Sequence, residues 1–528
     1  MWSGLRAIPN RHVAGHLTIT LILANIVLGV SVFSYGFDSA LYNTIQAMTP
    51  FEERFGSFNH KKKKYTIDPT HLALLNSFPL LTYAAGVFLA QQLGERFGRR
   101  IVLISMQFLC IAGLIVTYTA KDFGQILAGR CLVKAHIGMQ QWLIPMLLAE
   151  IVSAAIRGFM VMFYIFEQEL GALACSIITN FTAKRLDDSS WRIPVAVMVI
   201  FPCFVLFFHW FIPESPRWLL RKGRFDDAVD SLQYLYGCSL EYSALEEAQL
   251  LKESLNEADN ISKGSWRDLM RGSNRRRTMI AIVAGAMSML SGSPFTSSYG
   301  TVFLKQLGSI DPFTGNMIKK IVILCGPITS ILVIERLGRR NMYLIWGLMS
   351  CLALITMGGL GCQNPLGKKY KTGIVAMTIF FPYARVVSFG AIGTILPAEV
   401  SHPRLRDKTA FTAWMTQNVF DFALTFSLPY LLEAPYANLQ SKVGFIYGGF
   451  SMLGIIWGIF CLPELRGRSL EEVDEMFEQR VPAWRTKTWK SKNLNSIGVR
   501  ITQFEKNNVG TGEHQQDKLD DTPDKLSM

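Results

Sequence analysis

Glu95-Arg96-Phe97-Gly98-Arg99-Arg100 recurs 240 residues later as Glu335-Arg336-Leu337-Gly338-Arg339-Arg340. Two further charged motifs keep nearly the same offset. Ala149-Glu150, with Arg157 seven residues on, returns as Ala398-Glu399 with Arg406; Pro213-Glu214 returns as Pro463-Glu464; these offsets are 249 and 250 residues. Three charged motifs in register are not a chance arrangement, and they mark a duplicated unit.

The stretches between these motifs are apolar and long. A bilayer core needs about 20 consecutive, mostly apolar residues per helix. Twelve such blocks lie near 17–40, 71–92, 101–120, 124–148, 159–180, 194–212, 278–303, 316–334, 342–360, 374–397, 409–431 and 443–462. The expected fold is an all-α membrane protein of twelve transmembrane helices in two pseudo-symmetric six-helix bundles. Parallel repeats of this kind characterise one large transporter class. The expected organisation is a cytoplasmic N-terminus over 1–16, bundles over 17–213 and 278–462, and a cytoplasmic linker over 214–277. A tail follows over 463–528, disordered after about 483 because few apolar anchors remain. In the linker, Phe225, Ala228, Leu232 and Leu235 have helical spacing, which predicts short amphipathic helices.

Composition agrees. Half of the residues are hydrophobic, 18% are charged, and the mean hydropathy is +0.25, whereas soluble domains carry roughly a quarter charged residues. The net charge of +13 does not mark a nucleic-acid surface, since its residues are dispersed through loops. Arg96, Arg99, Arg100, Arg336, Arg339, Arg340, Arg404 and Arg406 fall where the positive-inside rule expects them. Lys61 to Lys64 do not, since they fall in the first outer loop. The first apolar run is long enough to span and has no small-residue cleavage site, so it reads as a helix rather than a leader. Nine scattered cysteines give no metal-ligand or disulfide spacing. No nucleophile–base spacing or phosphate loop appears, so an enzyme is not expected, and neither is a cofactor.

The repeated charges suit a reversible latch. Exposed ion pairs contribute only about 0–1 kcal/mol each, so several together bias a conformation without locking it. The candidate gating charges are Glu95, Arg99, Arg100, Glu150, Arg157, Glu214, Arg217, Glu335, Arg339, Arg340, Glu399, Arg406 and Glu464. The plainer reading is that they mark loop ends and orient helices.

Arg130 in Gly129-Arg130, the stretch Pro145 to Glu150, Pro213-Glu214-Ser215-Pro216-Arg217-Trp218-Leu219 and Pro463-Glu464-Leu465-Arg466-Gly467-Arg468-Ser469 together resemble the signature set of sugar porters in the major facilitator superfamily. The resemblance runs from about Gly36 to Trp489. The segment from Ala398 to Thr409 and Pro429-Tyr430-Leu431-Leu432 look most like fungal members, including the α-glucoside permease group. It implies the major facilitator fold and an alternating-access carrier with a central site between the halves.

Ionisable residues inside a membrane are expensive and are functional candidates by default. Asp38 sits in the first span and Arg130 in the fourth. In proton-coupled sugar porters these motif positions form a carboxylate–arginine pair, so the resemblance implies proton coupling through Asp38 and Arg130. A static buried pair is the bland alternative. Lys134 and His136 stand where the family usually has glycines. Glu167 and Glu169 fall in the fifth span, Arg385 in the tenth and Asp421 in the eleventh; Lys134 beside Glu167 or Glu169 would neutralise both.

The binding pocket departs from the resemblance. Sugar porters hold hydroxyls with amides, each of which offers a donor and an acceptor. At the matching positions this chain has Ile165, Ser288, Met289, Pro294, Ser298, Ile323 and Thr394. Gln417, followed by Asn418, and Tyr299 survive. With Ser288, Thr394 and Gln168 they form the expected substrate set. A lost hydrogen-bond partner costs about 1–3 kcal/mol, which argues against the usual tight hexose binding and leaves a glycoside, polyol or organic acid open.

The expected function is secondary active transport of a sugar, glycoside or related polyol, coupled to protons, in a multi-pass protein of the plasma membrane. Its partners are a small polar solute of carbohydrate type, protons and the lipid bilayer. The alternative is a transporter-like solute sensor that signals through its cytoplasmic segments.

Overall fold

The computed structural model describes residues 18–489, apart from 61–62, 153, 238–242, 261–264, 364, 366, 434–435 and 469. The side chains of Arg157 and Glu335, and the tail beyond residue 489, lie outside the described residues.

The first half has spans Ile19–Ile45, Pro69–Phe97, Arg99–Tyr118, Phe123–Ile151, Ala154–Thr182 and Ser189–Phe211. The second has Gly272–Leu290, Pro312–Leu337, Arg339–Leu360, Lys368–Val400, Arg406–Leu432 and Val443–Cys461. Among the described residues, nine helical segments are long and apolar enough to cross a membrane on length and composition alone. The other three, the fourth, fifth and eleventh spans, are 27 to 29 residues long. They carry Arg130, Lys134 and His136, Glu167 and Glu169, and Asp421 respectively. The chain is thus a twelve-helix membrane protein, and these three spans fall short on apolarity because they carry intramembrane charges; Asp38, Lys319, Lys320 and Arg385 add others in spans one, eight and ten.

Local chemistry sets where the helices start. Asp68 and Asp311 precede Pro69 and Pro312, and each carboxylate accepts an N–H from the first turn, of Thr70 and of Thr314 respectively. An acidic N-cap with proline just inside satisfies orphan donors and presets the backbone. The same device therefore opens both the second and the eighth span.

The duplicated Gly98 and Gly338 join spans two to three and eight to nine with φ of +101° and +83°, a region that favours glycine. A side chain at either position would also strike a carboxylate, Glu214 at the first and Glu464 at the second.

Within the first half, spans one and five pack together, as do two and four; in the second, seven packs on eleven and nine on twelve. The close approach of spans one and five uses Gly36, whose Cβ would strike the backbone of Gln168, and Gly171, whose Cβ would strike that of Phe33. Small residues at helix crossings give this proximity inside a bilayer. The halves meet where span five packs on span eight and span eleven on span two, contacts related by the internal symmetry.

Four departures from the sequence reading follow from tertiary contacts. The loop after the first span forms a hairpin, Ser57–Asn59 paired with Lys64–Thr66. The seventh span breaks at Gly292 (φ +94°) and resumes as Ser293–Ser298 and Gly300–Leu307. The tenth passes through a π-helical turn, Val386–Gly390. The chain also stays ordered past 483: Arg340 donates to the Ala483 carbonyl and Arg468 to that of Trp489, while Ala483 and Thr486 are buried.

Linker helices Pro216–Arg221, Phe225–Tyr236 and Ala244–Asn260 lie on the face where the first span begins and the last ends. Helix Leu470–Glu478 buries Val473, Met476 and Phe477 against the second half.

Candidate functional site

A cavity of about 190 Å³ lies between the halves. From the first half it is lined by Tyr35, Asn43, Asn76, Tyr83, Arg130 and Lys134, and from the second chiefly by Met289, Ser298, Trp414, Gln417, Asn418 and Asp421. Helix geometry explains the second wall. Trp414, Gln417, Asn418, Asp421 and Thr425 recur every three or four residues, so one stripe of span eleven faces the space.

Of the sequence-predicted substrate residues, Gln417 and Asn418 line this cavity. Tyr299 is buried and bonds the carbonyls of Leu72 and Thr425 at 3.2 and 3.1 Å, thereby joining the two halves. Ser288 and Thr394 spend their hydroxyls on their own helices, on the carbonyls of Gly285 and Ala391. Gln168 is half-buried on span five and is not among the lining residues. Asn43, Asn76, Tyr35, Tyr83 and Trp414 were not anticipated. Asn43 follows the first apolar run, Asn76 lies near the start of the second span, and neither carries a motif, so only the packing of spans one and two against seven and eleven brings them to the cavity.

The expected partner of Asp38 is not the one it has. Its Oδ2 lies 2.7 Å from Nζ of Lys134, and the carboxylate is fully buried. Arg130 is one turn earlier on the same helix and lays its guanidinium over the Tyr42 ring at 4.0 Å. The expected neutralisation of Lys134 by Glu167 or Glu169 does not occur. Glu169 instead lies 3.7 Å from Lys320 of span eight, and Glu167 sits against Gly29 of the first span. Buried Lys319 beside it donates to the Thr296 carbonyl at 3.0 Å. Lys319 and Lys320 were legible as intramembrane charges. They were not singled out from the sequence, although both fall inside the apolar run 316–334. Arg385 donates to the Ser288 carbonyl at 3.1 Å, and Asp421 accepts from Thr425 at 3.2 Å.

On the far face, away from the termini, polar bonds join the halves. Asn43 accepts from the Thr301 N–H at 3.2 Å, and Asn316 donates to Ser176 at 3.1 Å. Lys305 reaches the Ala47 carbonyl and Glu52 at 2.8 and 2.7 Å. Gln46 donates to the Ser298 carbonyl.

On the terminal face the duplicated charges pair inside each half. Arg99 meets Glu150 at 3.0 Å and Arg339 meets Glu399 at 2.8 Å. Glu214 accepts the N–H groups of Arg99 and Arg100 at 2.8 and 3.2 Å, and Glu464 those of Arg339 and Arg340 at 2.9 and 3.2 Å. Each glutamate therefore caps the helix of the neighbouring motif, where the helix dipole favours an anion. Glu95 lends its carbonyl to the Trp218 indole. Among the remaining candidates, Arg217 and Arg406 are half-buried on this face.

Two six-helix halves around a central polar cavity, closed by hydrogen bonds on one face, define a secondary transporter of the major facilitator fold. The chain belongs to the family described as sugar (and other) transporters, whose model matches residues 24–477. It is 26% identical to the low-affinity glucose transporter HXT1 of Saccharomyces cerevisiae over 91% of this chain and 85% of that protein. It is 28% identical to maltose permease MAL31 of the same organism, over 88% and 77%. The inward-open xylose transporter XylE from E. coli has the same fold, with a TM-score of 0.70 at 20% identity over 86% of this chain and 99% of that one.

Proposed function

We propose that this protein is a proton-coupled carrier that moves a sugar or a related polyhydroxylated solute by alternating access across the plasma membrane, with its termini in the cytoplasm. The observation that carries the coupling is the fully buried Asp38 carboxylate, 2.7 Å from a lysine that lines the central cavity. A buried ion pair that loses one charge is strongly destabilised, by about 3–5 kcal/mol. Protonating Asp38 therefore leaves the Lys134 ammonium in search of a second partner. Asp421 lines the same cavity from the opposite half. Proton binding on one half thus creates an attraction towards the other, which is what coupling a proton to a rearrangement of the two halves requires. The pairing inside each half on the terminal face and the bonds between halves on the far face are consistent with a carrier closed to the outside.

The duplicated terminal-face charges then act as two matched clamps, each holding a span-to-span turn rigid while its bundle moves as a body. The experiment is uptake into proteoliposomes with an imposed proton gradient, over a panel of hexoses, disaccharides, polyols and sugar acids. Gradient-driven accumulation that disappears in Asp38→Asn supports the reading. Transport without any response to the gradient removes the proton from it, and no accumulation of any solute favours a sensor.

A further inference from the structure

Arg130 lines the cavity without an ion pair among the described residues. It is 5% exposed, and its Nε and Nη1 have no hydrogen-bond partner among the described residues. The nearby carboxylate of Asp38 is engaged by Lys134, so the chain holds two cations where one would neutralise that acid. The Tyr42 ring lies under the guanidinium at 4.0 Å, but a cation–π contact supplies no hydrogen-bond acceptor to the open N–H groups.

A guanidinium grips one carboxylate through adjacent parallel donors, Nη1 with Nη2 or Nε with Nη2, so an acceptor at the open Nη1 of Arg130 engages the Nη1–Nη2 edge. The rest of the cavity suits hydroxyls. Oδ1 of Asn76 is buried without a partner, and Gln417 and Asn418 add amides on the opposite wall. Asp421 also lines that wall and repels an anion placed near it. The effect is directional: a carboxylate is driven to the Arg130 side, and hydroxyl donors are drawn to Asp421. The volume of about 190 Å³ is well above the ~10–15 Å³ that admits a single water, on the scale of a small solute.

We propose that Arg130 is the anchor for a carboxylate and that the carrier's preferred solute is a polyhydroxylated monocarboxylate, of the sugar-acid class, rather than a neutral sugar. The inference rests on the transport reading above for its biological sense, but binding tests it separately. Gluconate and sorbitol share a six-carbon hydroxylated chain and differ in one terminal group, so they isolate the carboxylate. Calorimetric titration of the full-length protein in detergent should show gluconate binding at least tenfold tighter than sorbitol or glucose. In Arg130→Gln the gluconate affinity should fall at least tenfold, and by several times more than the sorbitol affinity does; Arg130→Lys should recover part of the difference.

Sorbitol or glucose binding as tightly as gluconate to the unaltered protein overturns the proposal, and that comparison needs no variant to fold. So does an equal loss for all three ligands in Arg130→Gln. Uptake of glucose with gluconate neither carried nor competing would overturn this inference and leave the carrier intact. Tight gluconate binding with no uptake of any solute would overturn the carrier and leave the Arg130 assignment standing.

Discussion

Nζ of Lys134 on span four lies 2.7 Å from Oδ2 of Asp38 on span one; the carboxylate is fully buried in the first half, and the lysine lines the cavity. Neither residue is stable there without the other. Lys134→Met should lower the unfolding free energy by about 3–5 kcal/mol, the usual cost of orphaning a buried charge. Adding Asp38→Asn should recover most of it, because two neutral groups need no counter-charge. Thermal unfolding of the two single variants and the double variant in detergent measures the coupling; additive losses would show that the pair does not act as a unit.

On the proposed coupling through Asp38, uptake should rise as the pH on the outer side falls. Asp38→Asn is neutral at every pH. Its uptake should be independent of pH, with exchange retained and uphill accumulation lost. A pH profile of initial rates in proteoliposomes checks this, and an unchanged slope in the variant would move the proton site elsewhere.

The pair Glu169–Lys320 bridges spans five and eight at 3.7 Å across the two halves. Removing one member, as in Glu169→Gln, should favour the state open on the far face by about 1 kcal/mol, close to fivefold in population. A cysteine at Ser298, in the cavity wall, should then react faster with an impermeant thiol reagent added from outside. The swap Glu169→Lys with Lys320→Glu should restore the original rate.

Glu214→Gln and Glu464→Gln each replace a carboxylate that accepts two helix N–H groups with a neutral amide. Each should cost about 0.5–2 kcal/mol of stability, with similar values because the geometry is duplicated. Gly98→Ala and Gly338→Ala should lose more, since strain at positive φ adds to a collision with those glutamates. Unfolding midpoints of the four variants would test the symmetry, and a large loss in only one half would contradict it.

Much of the frame was written in the chain. Twelve apolar runs determine twelve helices, because a bilayer leaves the backbone no other way to satisfy its hydrogen bonds. The recurrence of Glu95–Arg100 at Glu335–Arg340 determines that the helices come in two matched sets. Glycine at 98 and 338 was legible as part of the motif, but its purpose, room for the glutamates of 214 and 464, required the fold. Tertiary structure alone decided the charge partners. Asp38, Arg130 and Lys134 are all readable as intramembrane charges. Which cation takes the carboxylate depends on side-chain reach across the packing of spans one and four, a distance of a few ångströms that sequence spacing does not encode. The same holds for the cavity: Asn43 and Asn76 belong to no motif, and they become site residues only because the halves close around them.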